Sequence, residues 1–170
     1  VFFVNSGSEA NDLALRLARA NRMYLAGKGR LDGTTSQTKK HHIITIDHAY
    51  HGHTLATLDV SPYKHRQGNE LNCPNYVWRV PCPDVYRGLH STKEETGKGK
   101  IDLEVAAHRY ASYVEKTCQD ITSQGESVGA LIMEGGMSVA GVILPPPSYL
   151  HRCVTAVRKA GGLYIADEVC

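Results

Sequence analysis

Four short groups of residues in this 170-residue chain have the types and spacing to do chemistry. Ser6, Gly7 and Ser8 lie between an apolar run, Val1 to Val4, and a helical pattern, and Glu9, three places after Ser6, completes a capping box. A helix entered this way leaves its first backbone N–H groups without internal acceptors. Those donors, the positive end of the helix dipole and the two serine hydroxyls converge on a volume that suits a phosphate. Tyr50 and His51 follow a second apolar run, Glu134 ends a third and Asp167 a fourth. Each group has an ordinary alternative: Ser6 as a plain cap, Tyr50 as packing, Glu134 as turn chemistry, Asp167 as a cap or turn residue. Those alternatives have to hold at all four places together.

The elements that must position these groups alternate. Val1 to Val4 reads as a buried strand, and the helix after it carries Leu13, Leu17 and Ala20 on one face before fading near Gly27. His42 to Asp47 is a near-continuous apolar strand of the kind buried on both faces, Leu55 to Leu58 a short helix, and Tyr76 to Val80 a strand ended by Pro81. Asp102 caps a long amphipathic helix with Leu103, Ala106, Tyr110, Val114, Thr117 and Ile121 on one side, stopping at Gly125. Val128 to Met133 is a strand, Tyr149 to Ala160 a helix closed by Gly161 and Gly162, and Leu163 onward the last strand. Residues 28–40 and 88–100 are polar and aperiodic, and read as surface loops. This order predicts an α/β domain, a mainly parallel sheet flanked by helices. In such sheets ligands bind beyond the carboxyl ends of the strands, where all four groups fall.

Composition narrows the partners. A formal net charge of +2 and the lack of a basic stripe argue against nucleic acid. No apolar run approaches the ~18 residues of a membrane span. Five cysteines at irregular spacing, without a C-x-x-C pair, suit a reduced compartment, with Cys118 and Cys153 as small core residues. His48, His51 and His53 match no familiar ligand spacing, so no metal is assigned. The first turn lacks G-x-G-x-x-G, which disfavours a dinucleotide site. The chain starts and stops inside apolar runs and reads as a piece of a larger protein, 1–170 forming part of one domain.

A phosphate cradle, a flat aromatic and a strand-end carboxylate together suit a phosphorylated aromatic ring with a protonatable nitrogen. Pyridoxal 5'-phosphate is such a ring. The phosphate belongs on Ser6, Gly7 and Ser8, the ring face on Tyr50, and the ring nitrogen on Asp167.

Asn5 to Asp12, His48 to His53 and Ile165 to Val169, in that order, resemble the class III aminotransferases of fold type I. With Ser61-Pro62-Tyr63-Lys64 added, the chain is most similar to the alanine-glyoxylate-aminotransferase-2-like branch, which includes phospho-lyases acting on phosphoethanolamine and phosphohydroxylysine. The resemblance implies part of the pyridoxal-phosphate-binding large domain of a fold type I transferase. It implies phosphate contacts from Gly7 and Ser8, stacking by Tyr50, a ring-nitrogen pair with Asp167, pressure on the other ring face from Val169, and Glu134 near the substrate. His51, His53, Lys64 and Arg87 are the basic candidates for a substrate phosphate, and His51 also counts among the cofactor-binding residues. Two positions depart from the family pattern, Met137 and Cys170, where glutamines are usual. None of Lys28, Lys39, Lys40, Lys64, Lys93, Lys98, Lys100, Lys116 or Lys159 has the context of the Schiff-base lysine, so the 170-residue piece alone is expected to be inactive.

The expected activity of the intact protein is phosphate elimination from a phosphorylated amine. The alternatives are transfer of an amino group between an amino acid and an oxo acid, or a non-catalytic binding role on the same fold. A small-molecule amino substrate, a symmetric homodimer and a mitochondrial, otherwise cytoplasmic, location follow from the resemblance.

Overall fold

The computed structural model describes residues 1–26, 40–65, 73–91 and 102–169. Its elements are α1 (Gly7–Ala26), β1 (His41–Ile46), α2 (Leu55–Asp59), α3 (Pro62–His65), β2 (Val77–Val80), α4 (Leu103–Ser123), β3 (Ser127–Glu134), α5 (Tyr149–Lys159) and β4 (Leu163–Asp167). The strands form one sheet in the order β2-β1-β3-β4, every neighbouring pair parallel. The expected α/β architecture is the observed one.

The two central strands, β1 and β3, are buried on both faces, which is why they read as continuous apolar runs rather than alternating ones. On one face Ile44, Ile46, Leu131 and Met133 pack with Tyr110, Val114, Ile121, Cys153 and Val157 from α4 and α5. On the other, Ile43, Val77, Ala130 and Ile132 meet Leu15 and Ala18 of α1 and Val60 after α2. Successive residues of one strand thus serve opposite layers, as the two-residue period of a strand requires.

α4 begins where its cap predicts, with Asp102 accepting the N–H groups of Glu104 and Val105. It ends before Gly125, whose φ of 76° is the left-handed value a glycine accepts freely. Cys118 and Cys153 are core residues as expected, and burial pushes their thiols up to about 11 and about 12, which makes them inert.

Two expectations fail. Val1 to Val4 is not a buried strand but exposed coil, with Phe3 94% accessible. Apolar character makes a strand only where another backbone completes the ladder, and no described strand lies beside this run. The buried face of α1 is also not Leu13, Leu17 and Ala20. It is Asn11, Leu15 and Ala18, at 5%, 9% and 1% exposure, while Leu17 is 49% exposed. Leucines at 13, 15 and 17 make either face apolar, and contact with the sheet decides between them.

Of the two polar segments, 28–39 and 92–100 lie outside the described residues, as does Cys170. Residues 88–91 are tied to α4 by Tyr110, whose hydroxyl accepts the His90 N–H at 3.0 Å and donates to Asp84 O at 2.9 Å. Among the described residues no helix is long and apolar enough to cross a membrane.

Candidate active site

Three loops and the start of α1 meet at the carboxyl edge of the sheet. At the start of α1, Ser6 Oγ accepts the N–H of Glu9 at 3.2 Å and Glu9 Oε2 accepts the N–H of Asn5 at 2.7 Å. The first intrahelical bond runs from Ala10 N–H to Ser6 O, so the N–H groups of Gly7 and Ser8 point out of the first turn without helical acceptors.

The loop after β1 presses directly on that turn. Ser8 Oγ accepts the His53 N–H at 3.1 Å, and Gly52, at φ 133°, lies so close that a Cβ there would sit 2.8 Å from Ser8 Cα. The same loop is pinned from below, because His51 N–H donates to Ser61 Oγ at 2.8 Å and Ser61 Oγ donates to Thr57 O at 2.6 Å. A Cβ on Gly7 would likewise fall 2.5 Å from Val169 Cγ1, which puts the segment after β4 against the helix start.

Asp167 is the hub. Its Oδ2 lies 2.8 Å from His51 Nδ1 and accepts the Asn11 side-chain amide at 2.8 Å, while its Oδ1 accepts the Val169 N–H at 3.2 Å. A carboxylate only accepts, so His51 Nδ1 carries the proton of that contact. Burial by itself would raise the Asp167 carboxyl. The hydrogen bond and charge of His51, then Asn11, then the Val169 N–H outweigh it and hold the group below its ordinary 3.8.

A carboxyl depressed on folding contributes stability that is present above its unfolded value and is lost as pH falls through the folded one. For the full-length protein, the difference in unfolding free energy between the native sequence and Asp167→Asn should therefore hold steady above about pH 5 and shrink below about pH 4, as denaturant titrations across that range would read.

Tyr50 belongs to the same cluster by its backbone: its N–H donates to Glu134 Oε1 at 2.8 Å. Glu134 is 1% exposed and stands opposite Asp167 in the β3–β4 register, and the next N–H, that of Gly135, reaches Asp167 O at 3.0 Å. The half-buried Tyr50 ring meets Tyr63 edge-on at 6.3 Å, with Lys64 Nζ 5.5 Å from its centroid.

Ser8, Tyr50, His51, His53, Glu134 and Asp167 thus fall in one chain of contacts: Ser8 to His53 and Gly52, His51 to Asp167, Asp167 to Glu134 by register, Glu134 to Tyr50. Arg87 is not part of it: its Nε lies 3.8 Å from Asp84 Oδ2. The three histidines diverge, however. His51 is sealed against Asp167 with its side chain fully buried, which removes it from the candidates for a substrate phosphate, while His48 is half-buried and His53 exposed. Among the described residues no group of three His, Cys, Asp or Glu side chains could hold a metal ion. Met137 is fully buried beside Cys82, so an apolar residue suits the place it occupies.

Asn11 is the site residue that the sequence reading passed over. Its signal is its place on α1: with Leu15 and Ala18 it forms an i, i+4, i+7 face, and a buried asparagine on an apolar face needs partners.

A family described as aminotransferase class-III matches residues 1–170. The chain is 46% identical over 168 residues to a Drosophila melanogaster protein named alanine–glyoxylate aminotransferase 2-like, covering 99% of this chain and 30% of that one. It is 40% identical over 169 residues to a Caenorhabditis elegans protein named ethanolamine-phosphate phospho-lyase homolog 1, covering 99% and 33%. Among solved structures, an omega transaminase from Pseudomonas jessenii in complex with PMP superposes with a TM-score of 0.72 at 31% identity, over 97% of this chain and 32% of that one. The chain spans about a third of the length of these relatives.

Proposed function

The chain belongs to the class-III aminotransferases, and from that membership we propose that the protein it forms part of binds pyridoxal 5'-phosphate and eliminates phosphate from a phosphorylated amine. The observation that carries the cofactor is the Asp167 cluster: a buried, ionised carboxylate fixed by three donors beside a helix start with free N–H groups.

The residues fit the group. Gly7 and Ser8 offer N–H donors and a hydroxyl to the phosphate, at the positive end of a 20-residue helix. Tyr50 offers a half-exposed ring for one face of the pyridine, and Val169, beside Gly7, an apolar side chain for the other. Asp167 keeps a proton on the ring nitrogen. Bound there, the cofactor supplies an electron sink for the pair left when a substrate C–H bond breaks. Glu134 holds the Tyr50 backbone and thereby sets the height of the aromatic wall.

The phospho-lyase reading rests on the relative of that name and on Lys64. Its ammonium stands 5.5 Å and 5.6 Å from the Tyr50 and Tyr63 ring centroids and has no carboxylate partner among the described residues, which leaves it able to receive a substrate phosphate. Lys64→Gln in the full-length protein should raise KM for phosphoethanolamine about tenfold, the loss of one charge-assisted contact, and change kcat little.

Product analysis of the full-length protein tests the whole reading. Inorganic phosphate and ammonia released from phosphoethanolamine support it; an amino acid formed from an oxo acid, without phosphate release, supports the transaminase alternative. No turnover with bound cofactor supports a binding role. The symmetric homodimer and the mitochondrial location are part of the same reading and rest on family resemblance.

A further inference from the structure

One side chain at this site has a geometry that the cofactor reading leaves unused. Asn11 lies one helical turn beyond Gly7, on the buried face of α1, and its amide nitrogen bridges two other elements: it donates to His51 O at 2.9 Å and to Asp167 Oδ2 at 2.8 Å. Both targets are acceptors, so the orientation of the amide is fixed, with the nitrogen and not the oxygen facing them. Asp167 Oδ2 then takes two donors, Asn11 and His51 Nδ1, which fills its two in-plane lone pairs. Asp167 Oδ1 takes only the Val169 N–H and keeps one lone pair.

We propose that Asn11 is a positioning residue for the cofactor: by closing Oδ2 of Asp167 it keeps that group an anion and leaves Oδ1 as the single acceptor for a protonated ring nitrogen. This inference rests on the cofactor reading above. Asn11 has the right chemistry for the task because an amide donates without carrying charge. A cation there would neutralise the carboxylate, and a hydroxyl has one proton where two acceptors must be served. It also joins α1, which carries the phosphate donors, to β4, which carries the carboxylate, and so adds a direct tie between the two ends of the cofactor site to the contact of Gly7 with Val169.

The test uses the full-length protein, Asn11→Leu and Asn11→Asp, with pyridoxal 5'-phosphate as the probe. Leucine keeps the branched outline, in a somewhat larger side chain, and removes both donors. Aspartate puts a second carboxylate against Asp167, and two carboxyls that close share a proton instead of both ionising. Both variants should bind the cofactor about tenfold more weakly, Asn11→Asp the more so, by dialysis of the apoprotein against the probe. In both, the pH midpoint of the visible band of the bound cofactor should rise by about one unit, because a ring nitrogen that loses its proton no longer favours deprotonation of its neighbour. Native affinity and an unmoved midpoint, even with a lowered melting temperature of the apoprotein, would overturn the inference and leave Asn11 a packing residue. If the native protein itself shows neither binding nor a visible band, the cofactor reading falls, and this inference with it.

Discussion

Asp167→Asn in the full-length protein should lower kcat by about two to three orders of magnitude while the apoprotein still folds. The substitution preserves shape and keeps one oxygen for Asn11 or His51, but it removes the charge that three donors converge on. A neutral amide cannot hold a proton on an aromatic nitrogen, and breaking a buried charge pair costs about 3–4 kcal/mol, which as a barrier is that loss of rate. Steady-state kinetics on phosphoethanolamine, with cofactor at saturation, read it directly. A variant retaining more than a tenth of the native kcat would remove Asp167 from the centre of the account.

The second large effect is on stability, and it comes from backbone. Gly52→Ala should destabilise the protein by roughly 3–4 kcal/mol, the sum of a strained φ and a core overlap. The φ of 133° is one that alanine rarely adopts, and the new Cβ would lie 2.6 Å from Ser8 Oγ and 2.8 Å from Ser8 Cα. Ser8 Cα is helix backbone and cannot swing away, so either the loop after β1 or the first turn of α1 must move. The phosphate donors move with it. Gly125→Ala is the matched control: its φ of 76° is also unfavourable to alanine, but nothing lies within 4 Å of the added carbon. It should cost about 1 kcal/mol, with cofactor affinity unchanged. Denaturant midpoints of the two variants separate the overlap from the strain, and equal losses would mean that the tight approach of Gly52 to Ser8 is not maintained in solution.

The elements legible in the sequence were those whose signal is local. The Asp102 cap, the apolar face from Ala106 to Ile121 and the stop at Gly125 all lie within one helix, and α4 follows them. The buried strands β1 and β3 announced themselves by unbroken apolar runs, because helices cover both faces of the sheet. What was illegible depends on partners far along the chain. Val1 to Val4 has the composition of a strand, yet pairing is a property of two segments and composition describes one. His51 sits between His48 and His53 in a run that suggests a shared role, and only the fold sends it inward to a carboxylate 116 residues away while its neighbours turn out. Nothing local marks Asn11 as a site residue; its partner, Asp167, is 156 residues distant. The face of α1 was misjudged for a related reason, since three leucines at alternate positions cannot by themselves say which side meets the sheet.

The most direct measurement is a crystal structure of the full-length protein grown with pyridoxal 5'-phosphate. The account predicts phosphate oxygens on the N–H groups of Gly7 and Ser8, the ring against Tyr50, and the ring nitrogen within hydrogen-bond reach of Asp167 Oδ1, with Oδ2 still held by Asn11 and His51. A cofactor seated elsewhere, or one whose phosphate reaches Ser8 while its ring nitrogen turns away from Asp167, would contradict it.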